Sequence, residues 1–369
     1  MKLLPVSTFL FFILILLSLS AQEPKSEARK HANEFLNIGV GARAAAMGNA
    51  QTAIADDVTA GYWNPAGLIG DGLSSTPELS LQHAAYFANI ANYNYLGFSL
   101  PIDSASQRRF GVTLIRLGID DIPNTLQFRN PDGSFDVDKI QSFSVSDFAV
   151  MFSYSWQTKV PGLSLGTNAK VIYRGAGRFA NAWGIGLDAG LRYKRKNLSL
   201  GLVLRDFTNT YTAWTFNTET FQQDFINAGQ EIPANSVEIL RPSARLGIAY
   251  DLKLSRRLKL TVTADADMFF DGKRTSALLR SEGFNLDPHG GLELAYKDGT
   301  GRDIFFLRGG FYNLQYLEIS DTDAVSEVFP TAGVGFVVRN FTIDYALANI
   351  GDFSTSLHSH IVSLKFFIR

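Results

Sequence analysis

The run Asp147-Phe148-Ala149-Val150-Met151-Phe152-Ser153-Tyr154-Ser155-Trp156 sets large apolar side chains against small or polar ones at alternate positions. A period of two is the mark of a β-strand whose two faces meet different surroundings. Working outward, Leu163, Leu165, Val171 and Tyr173 alternate with Ser164, Gly166, Asn168, Lys170 and Arg174. Next, Trp183, Ile185, Leu187, Leu191 and Tyr193 alternate with Gly184, Gly186, Asp188, Gly190 and Arg192. The segments Leu198 to Leu204, Leu246 to Leu252 and Leu258 to Met268 repeat the pattern, and one face stays apolar throughout. A soluble sandwich also alternates, so periodicity alone leaves sandwich and membrane barrel both open.

Length and connections decide between them. The pattern predicts strands at 77–87, 92–101, 108–118, 144–156, 162–174, 181–194, 196–206, 242–252, 258–268, 288–297, 302–313, 329–338, 340–349 and 358–369. These are longer than the roughly five or six residues usual in soluble sheets and near the 9 to 11 or so that a tilted strand needs to cross a bilayer. Connections around 103–107, 157–162, 194–197, 253–257, 297–302 and 339–340 are short and polar, whereas 120–143, 206–241, 269–287 and 312–328 are long. Short turns on one rim and long loops on the other belong to outer-membrane barrels, as does an even strand count. The expected fold is therefore all-β: a transmembrane antiparallel barrel of about 14 strands, over 77–369, in the bacterial cell outer membrane. Charges on the second face, among them Arg192, Arg205, Arg245, Asp188, Asp251, Asp265, Asp267, Arg308 and Asp344, should point inward and pair there, since an Arg against lipid costs about 2 to 4 kcal/mol.

Composition agrees. Charged residues make up only 19% of the chain against 46% hydrophobic, and 34 basic residues balance 35 acidic ones, so no basic nucleic-acid surface is expected. With no cysteine, thiolate chemistry, disulfides and a lipidated N-terminal cysteine are excluded. Met1-Lys2, an apolar run from Leu3 to Leu17 and the small residues Ser18 to Ala21 read as a signal peptide over 1–21, followed by a linker over 22–33.

Residues 34–70 differ in kind. Gly39-Val40-Gly41, Met47-Gly48, Asp56-Asp57 and Trp63-Asn64-Pro65-Ala66-Gly67-Leu68 lack alternation and suggest short helices joined by tight turns, compact enough to sit in the barrel lumen as a hatch. The Asn64-Pro65-Ala66 motif before about fourteen strands resembles the FadL-type outer-membrane barrels, and the fuller run from Gly39 to Leu68 is similar to the PorV/PorQ family of the type IX secretion system. The resemblance marks Gly39, Gly41, Met47, Gly48, Asn64, Pro65, Ala66 and Gly67 as the hatch motif. It implies a non-enzymatic role, without cofactor or metal, in contact with outer-membrane lipid. The expected partners are the type IX translocon, attachment-complex proteins and the C-terminal domains of exported cargo. The FadL-type resemblance implies the alternative, a transporter of small hydrophobic molecules.

Within 206–241, Tyr211, Trp214, Phe216, Phe221 and Phe225 give an outer loop a large apolar content, which makes it the candidate cargo-binding surface. Three other signals dissolve. Gly162-Leu163-Ser164-Leu165-Gly166 imitates a hydrolase nucleophile elbow but lies inside an alternating strand, where the strand-turn-helix context is missing. Gly39-Val40-Gly41-Ala42-Arg43-Ala44 imitates a dinucleotide fingerprint without a βαβ unit and reads as turn packing. His358 and His360 share a strand face, yet no third metal ligand accompanies them, and they read as rim polarity.

Overall fold

A computed structural model describes residues 33–70, 76–86, 89–103, 107–128, 134–227, 231, 234–272, 274, 277–281, 283–318, 324–348 and 359–368. The expected signal peptide at 1–21, nearly all of the 22–33 linker, His358 and Arg369 lie outside the described residues.

In chain order the strands are β1 (Glu78–Tyr86), β2 (Ala91–Pro101), β3 (Arg108–Asn124), β4 (Gln141–Gln157), β5 (Leu163–Ala176), β6 (Ala180–Arg195), β7 (Leu198–Arg205), β8 (Thr210–Phe216), β9 (Ser236–Leu240), β10 (Ser243–Lys253), β11 (Leu258–Phe269), β12 (Leu279–Arg280), β13 (Asn285–Lys297), β14 (Asp303–Glu318), β15 (Ala324–Val338), β16 (Phe341–Ala348) and β17 (Ser359–Phe367). Fourteen of them, all but β8, β9 and β12, form a closed antiparallel wall. β7 passes directly to β10, β11 to β13, and β17 returns to β1 with Leu364 opposite Leu81. Closure leaves no strand edge unpaired, which a lipid surroundings requires of any sheet that spans it.

The alternation read from sequence becomes inside and outside. On β6, Trp183 and Ile185 are 59% and 66% exposed, while the alternate positions Ala182 and Gly184 are buried and face inward. Leu246 and Ile248 on β10 and Leu307 on β14 extend the outward apolar surface, and Arg245 and Arg308 on the same strands are buried. No helix among the described residues is long and apolar enough to cross a membrane; the strands do so.

The long connections do gather on one rim, but several contain more structure than the pattern suggested. Pairing of β3 with β4 continues past a bulge at Ile119/Ile122 to Asn124–Gln141, and β14 with β15 continues past a bulge to Glu318–Ala324. Most of 312–328 and the two ends of 120–143 are therefore strand. The 206–241 stretch is likewise a β8–β9 hairpin laid on the upper half of β6, with a helix, Thr218–Asn227, between its arms.

Candidate functional site

Residues 33–70 form a chain of short elements: two 3-10 helices, Glu34–Asn37 and Pro65–Ile69, and two α-helical turns, Ala42–Ala46 and Ala60–Trp63. Their side chains join inward residues of the wall in one buried cluster that includes Phe35, Tyr62, Trp63, Leu68, Tyr93, Ile115 and Ile172. So irregular a segment exposes many backbone groups, each costly when buried without a partner. Polar side chains of the wall meet them. Ser363 accepts from Ala42 N–H at 3.1 Å, Thr331 from Gly48 N–H at 3.1 Å, Asp265 from Thr52 N–H at 2.7 Å and Glu78 from Val58 N–H at 3.0 Å. In the other direction, Arg192 donates to Ala53 O at 3.1 Å, Asn168 to Gly61 O at 2.8 Å and Ser164 to Ala66 O at 2.8 Å.

The Asn64-Pro65-Ala66 motif is a junction in this network. Asn64 takes the extended conformation that a following proline imposes. Its carbonyl side-chain oxygen accepts from Ala66 N–H at 3.2 Å and caps the 3-10 turn, while Nδ2 donates to Thr52 O at 2.8 Å and to Leu191 O of β6 at 3.1 Å. Pro65 occupies the first helical position, where a missing N–H costs nothing. Gly39 and Gly41 have φ of +97° and +91°, which lets the chain turn before Ala42–Ala46. Gly48, at φ +62°, has its Cα so close to the Phe311 backbone that any side chain would overlap it. Met47 is fully buried, and its carbonyl oxygen would lie 2.6 Å from a Cβ at Gly291 of β13. A Cβ at Gly67 would strike the Ala55 carbonyl.

Only some of the inward charges pair with one another; Arg192, Arg205 and Asp265 bond the backbone of the segment instead, and Asp251 accepts from Thr261. Arg43 sits between Glu293 (2.9 Å) and Asp56 (3.0 Å), and Arg308 between the same Glu293 (2.7 Å) and Asp344 (2.6 Å). Lys170 bridges Asp188 (2.8 Å) and Asp206 (2.6 Å). Arg205 donates to the carbonyls of Leu36 and Tyr62 and stands over the Tyr62 ring, 4.7 Å from its centre. Lys365 of β17 reaches Asp57 at 2.8 Å. Burial alone would raise the Asp57 pKa, but Lys365 and Arg43 outweigh it and hold the carboxyl well below the usual carboxylate range.

A cavity of about 320 Å³ opens between the beginning of this segment and the wall. Ile38, Ala45, Tyr86, Phe269, Tyr312, Ala348 and Ile361 supply apolar lining, and Arg245, Asp267, Arg274, Asp287 and His289 a polar side. It lies toward the long connections, where Arg274 reaches Glu34 at 3.4 Å.

The candidate loop aromatics do not act as one surface. Phe221 is buried, its ring 4.6 Å from that of Phe179 and under the Arg178 guanidinium. Trp214 and Phe216 stack on each other at 6.0 Å on the side of β8 that pairs with buried Ala182, with Arg174 5.1 Å from the Trp214 ring. Tyr211 faces outward beside Ile185, and Phe225 is half-buried on the helix. Ser164 and Gly166 of the apparent nucleophile motif hold the Pro65–Ala66 region. His360 is exposed on β17 and shares a hydrogen bond of 2.7 Å with Tyr345 Oη; no group of three metal-ligating side chains occurs among the described residues. Sequence reading placed Arg192, Arg205 and Asp265 inward but did not show that they bond the segment, since their partners lie far away in the chain.

The fold is that of the FadL-like outer-membrane barrels, and its place is the bacterial outer membrane. It is similar to the Ralstonia pickettii toluene transporter TbuX, at 14% identity and a TM-score of 0.52, covering 90% of this chain and 99% of that one. The CymD monoaromatic hydrocarbon channel matches at 13% identity and a TM-score of 0.54, over 90% and 98% of the two chains. The Pseudomonas putida toluene transporter TodX aligns at 14% and 0.52, over 90% and 99%. No family model matches the sequence, and no curated protein does.

Proposed function

We propose that this barrel is a path for small hydrophobic molecules through the outer membrane, with residues 34–70 as the hatch that closes its lumen. The observation that carries the reading is the cavity of about 320 Å³ between hatch and wall, in a fold shared with transporters and channels for toluene and monoaromatic hydrocarbons. Its size and mixed lining suit one small molecule with an apolar body. The signal peptide at 1–21 belongs to the same reading, as the device that exports the chain. The type IX secretion reading has only the 39–68 motif in its favour. Solved structures lend it no support, and Phe221 is already packed inside the protein.

The test is entry of radiolabelled toluene into cells whose own FadL-like barrels have been deleted. Expression of this chain should raise the entry rate. An unchanged rate, with the barrel folded in the outer membrane, sinks the proposal.

A further inference from the structure

The polar side of the cavity is unevenly matched. His289 sits nine-tenths buried on β13, and its Nδ1 lies 2.9 Å from the carbonyl oxygen of Gly48. A carbonyl only accepts, so Nδ1 carries a hydrogen and donates it, which leaves Nε2 as the ring nitrogen available to a further partner on the cavity's polar side. Nε2 has no hydrogen-bond partner: the two nearest carboxylate oxygens, Asp267 Oδ2 and Asp287 Oδ2, are each 3.7 Å away, beyond hydrogen-bond distance. Asp287 Oδ1 is unpartnered as well.

Among the described residues, the two cations that line the cavity already have carboxylate partners. Arg245 holds Asp267 at 2.6 Å, and Arg274 holds Asp271 at 2.5 Å and Glu34 at 3.4 Å. His289 Nε2 and Asp287 Oδ1 thus stand without a partner beside an Asp267 that Arg245 already holds, in a cavity whose opposite side is apolar. Buried acceptors left in this state are costly, and a donor placed between them removes the cost. We infer that the cavity takes small amphiphiles with an apolar body and a hydrogen-bond-donating head, a cationic one above all, and that Asp287 and His289 select that head. This rests on the reading of the chain as a path for small hydrophobic molecules and narrows it: a plain hydrocarbon leaves His289 and Asp287 unpaired.

Benzylamine, benzyl alcohol and ethylbenzene share one shape and differ only in the head, so calorimetric titration of the purified barrel with each isolates the head group. Benzylamine should bind about tenfold or more tighter than ethylbenzene, with benzyl alcohol between them, because hydrogen bonds to a charged partner are the strong ones. Asp287→Asn keeps the shape and should erase most of the benzylamine preference. His289→Phe should weaken benzyl alcohol and benzylamine alike and leave ethylbenzene unchanged. Heat-modifiable migration of both variants on gels confirms that the barrel is folded. Equal binding of all three ligands by the unmodified protein, as expected if His289 is doubly protonated and satisfies both carboxylates itself, overturns the inference while leaving the hydrocarbon path intact. So does a preference that survives both substitutions. Absence of binding by any of the three overturns it too, and the toluene-entry experiment then decides the broader reading separately.

Discussion

Ser164 of β5 donates its hydroxyl to the carbonyl of Ala66 across 2.8 Å. Two residues further along the same inward face, Gly166 lies so close to the Pro65–Ala66 peptide that any Cβ would overlap it. Gly190 stands in the same relation to Asn64, as does Gly201 to Thr52. Three neighbouring strands thus present bare backbone where residues 33–70 come closest, and the segment is seated by the absence of side chains as much as by bonds.

Gly166→Val should therefore displace the Asn64–Ala66 junction while leaving the outward face of β5 unaltered. The variant barrel should still insert and remain heat-modifiable, but limited proteolysis of the purified protein should cut within 50–70, where the unmodified protein resists. Ser164→Ala removes one buried bond at a cost of about 0.5 to 1.5 kcal/mol, since Ser155 Oγ, 3.3 Å from the Ala66 carbonyl, can still donate to it. It should raise backbone hydrogen exchange around Ala66 without opening the segment to protease. Identical cleavage patterns for Gly166→Val and the parent would refute the close fit.

Pro65 and Asn64 act at the same junction by different means. Pro65→Ala frees φ and should loosen the turn modestly. Asn64→Ala deletes three hydrogen bonds at once, two of them to carbonyls buried in the hatch and on β6. The second substitution should therefore be the more damaging by about 1 to 3 kcal/mol. Hydrogen exchange of 52–66 in each variant measures the order; a larger effect from Pro65→Ala would show that backbone restriction, not bonding, holds the motif.

The wall was legible because lipid imposes a strict condition on it: every second residue must be apolar, and the segments from Trp183 to Tyr193 or Leu246 to Leu252 could hardly satisfy it by chance. The turn at Asn64-Pro65-Ala66 was legible as a local motif, whose cap and extended backbone are set by adjacent residues. The β8–β9 hairpin was not. Thr210 to Phe216 carries Tyr211 on one face and Trp214 and Phe216 on the other, so alternation is blurred where the strand rises beyond the wall's apolar surface. Nor did any local signal mark Asp265, Arg192 or His289 as partners of the hatch backbone, since each meets a residue more than a hundred positions away.

The pair of Asp57 with Lys365 should make the attachment of residues 33–70 insensitive to moderate acid. The folded-state pKa of Asp57 is depressed by Lys365 and Arg43 against the opposing effect of burial. The stability it contributes is complete above the unfolded carboxyl value near 4 and is lost only as pH falls through the lower folded value. Hydrogen exchange over residues 55–65 should be flat from neutral pH to about 4 after correction for intrinsic rates, and rise in stronger acid. Asp57→Asn should show the raised level at every pH. A rise in the unmodified protein already between pH 7 and about 5 would contradict the depressed value.

Topology follows from the rims. All the long connections leave one rim, and both ends of the wall, Glu78 and Phe367, lie on the other, which is the periplasmic one in outer-membrane barrels. The chain has no cysteine, so single cysteines report without background. One placed at Gln222, on the helix between β8 and β9, should react with an impermeant maleimide in intact cells. One at Arg195, in the turn after β6, should react only after lysis. Labelling of both in intact cells would reject the orientation.

Path and cargo surface make opposite demands on the same molecule. Ala348 lines the cavity and is 5% exposed, so Ala348→Trp should fill much of that space and depress toluene entry, while the wall, whose outward face is untouched, stays closed. Trp214→Ser with Phe216→Ser removes the stacked pair on β8, outside the cavity lining, and should leave entry near the parental rate. Phe221 is left intact, because it packs against Phe179 and its loss would disturb the rim itself. A cargo-holding protein reverses both results: the double serine variant loses capture of exported proteins, and the cavity-filled variant keeps it. Entry rates unaffected by Ala348→Trp, together with a secretion defect in the β8 variant, would transfer the function from the lumen to the outer hairpin.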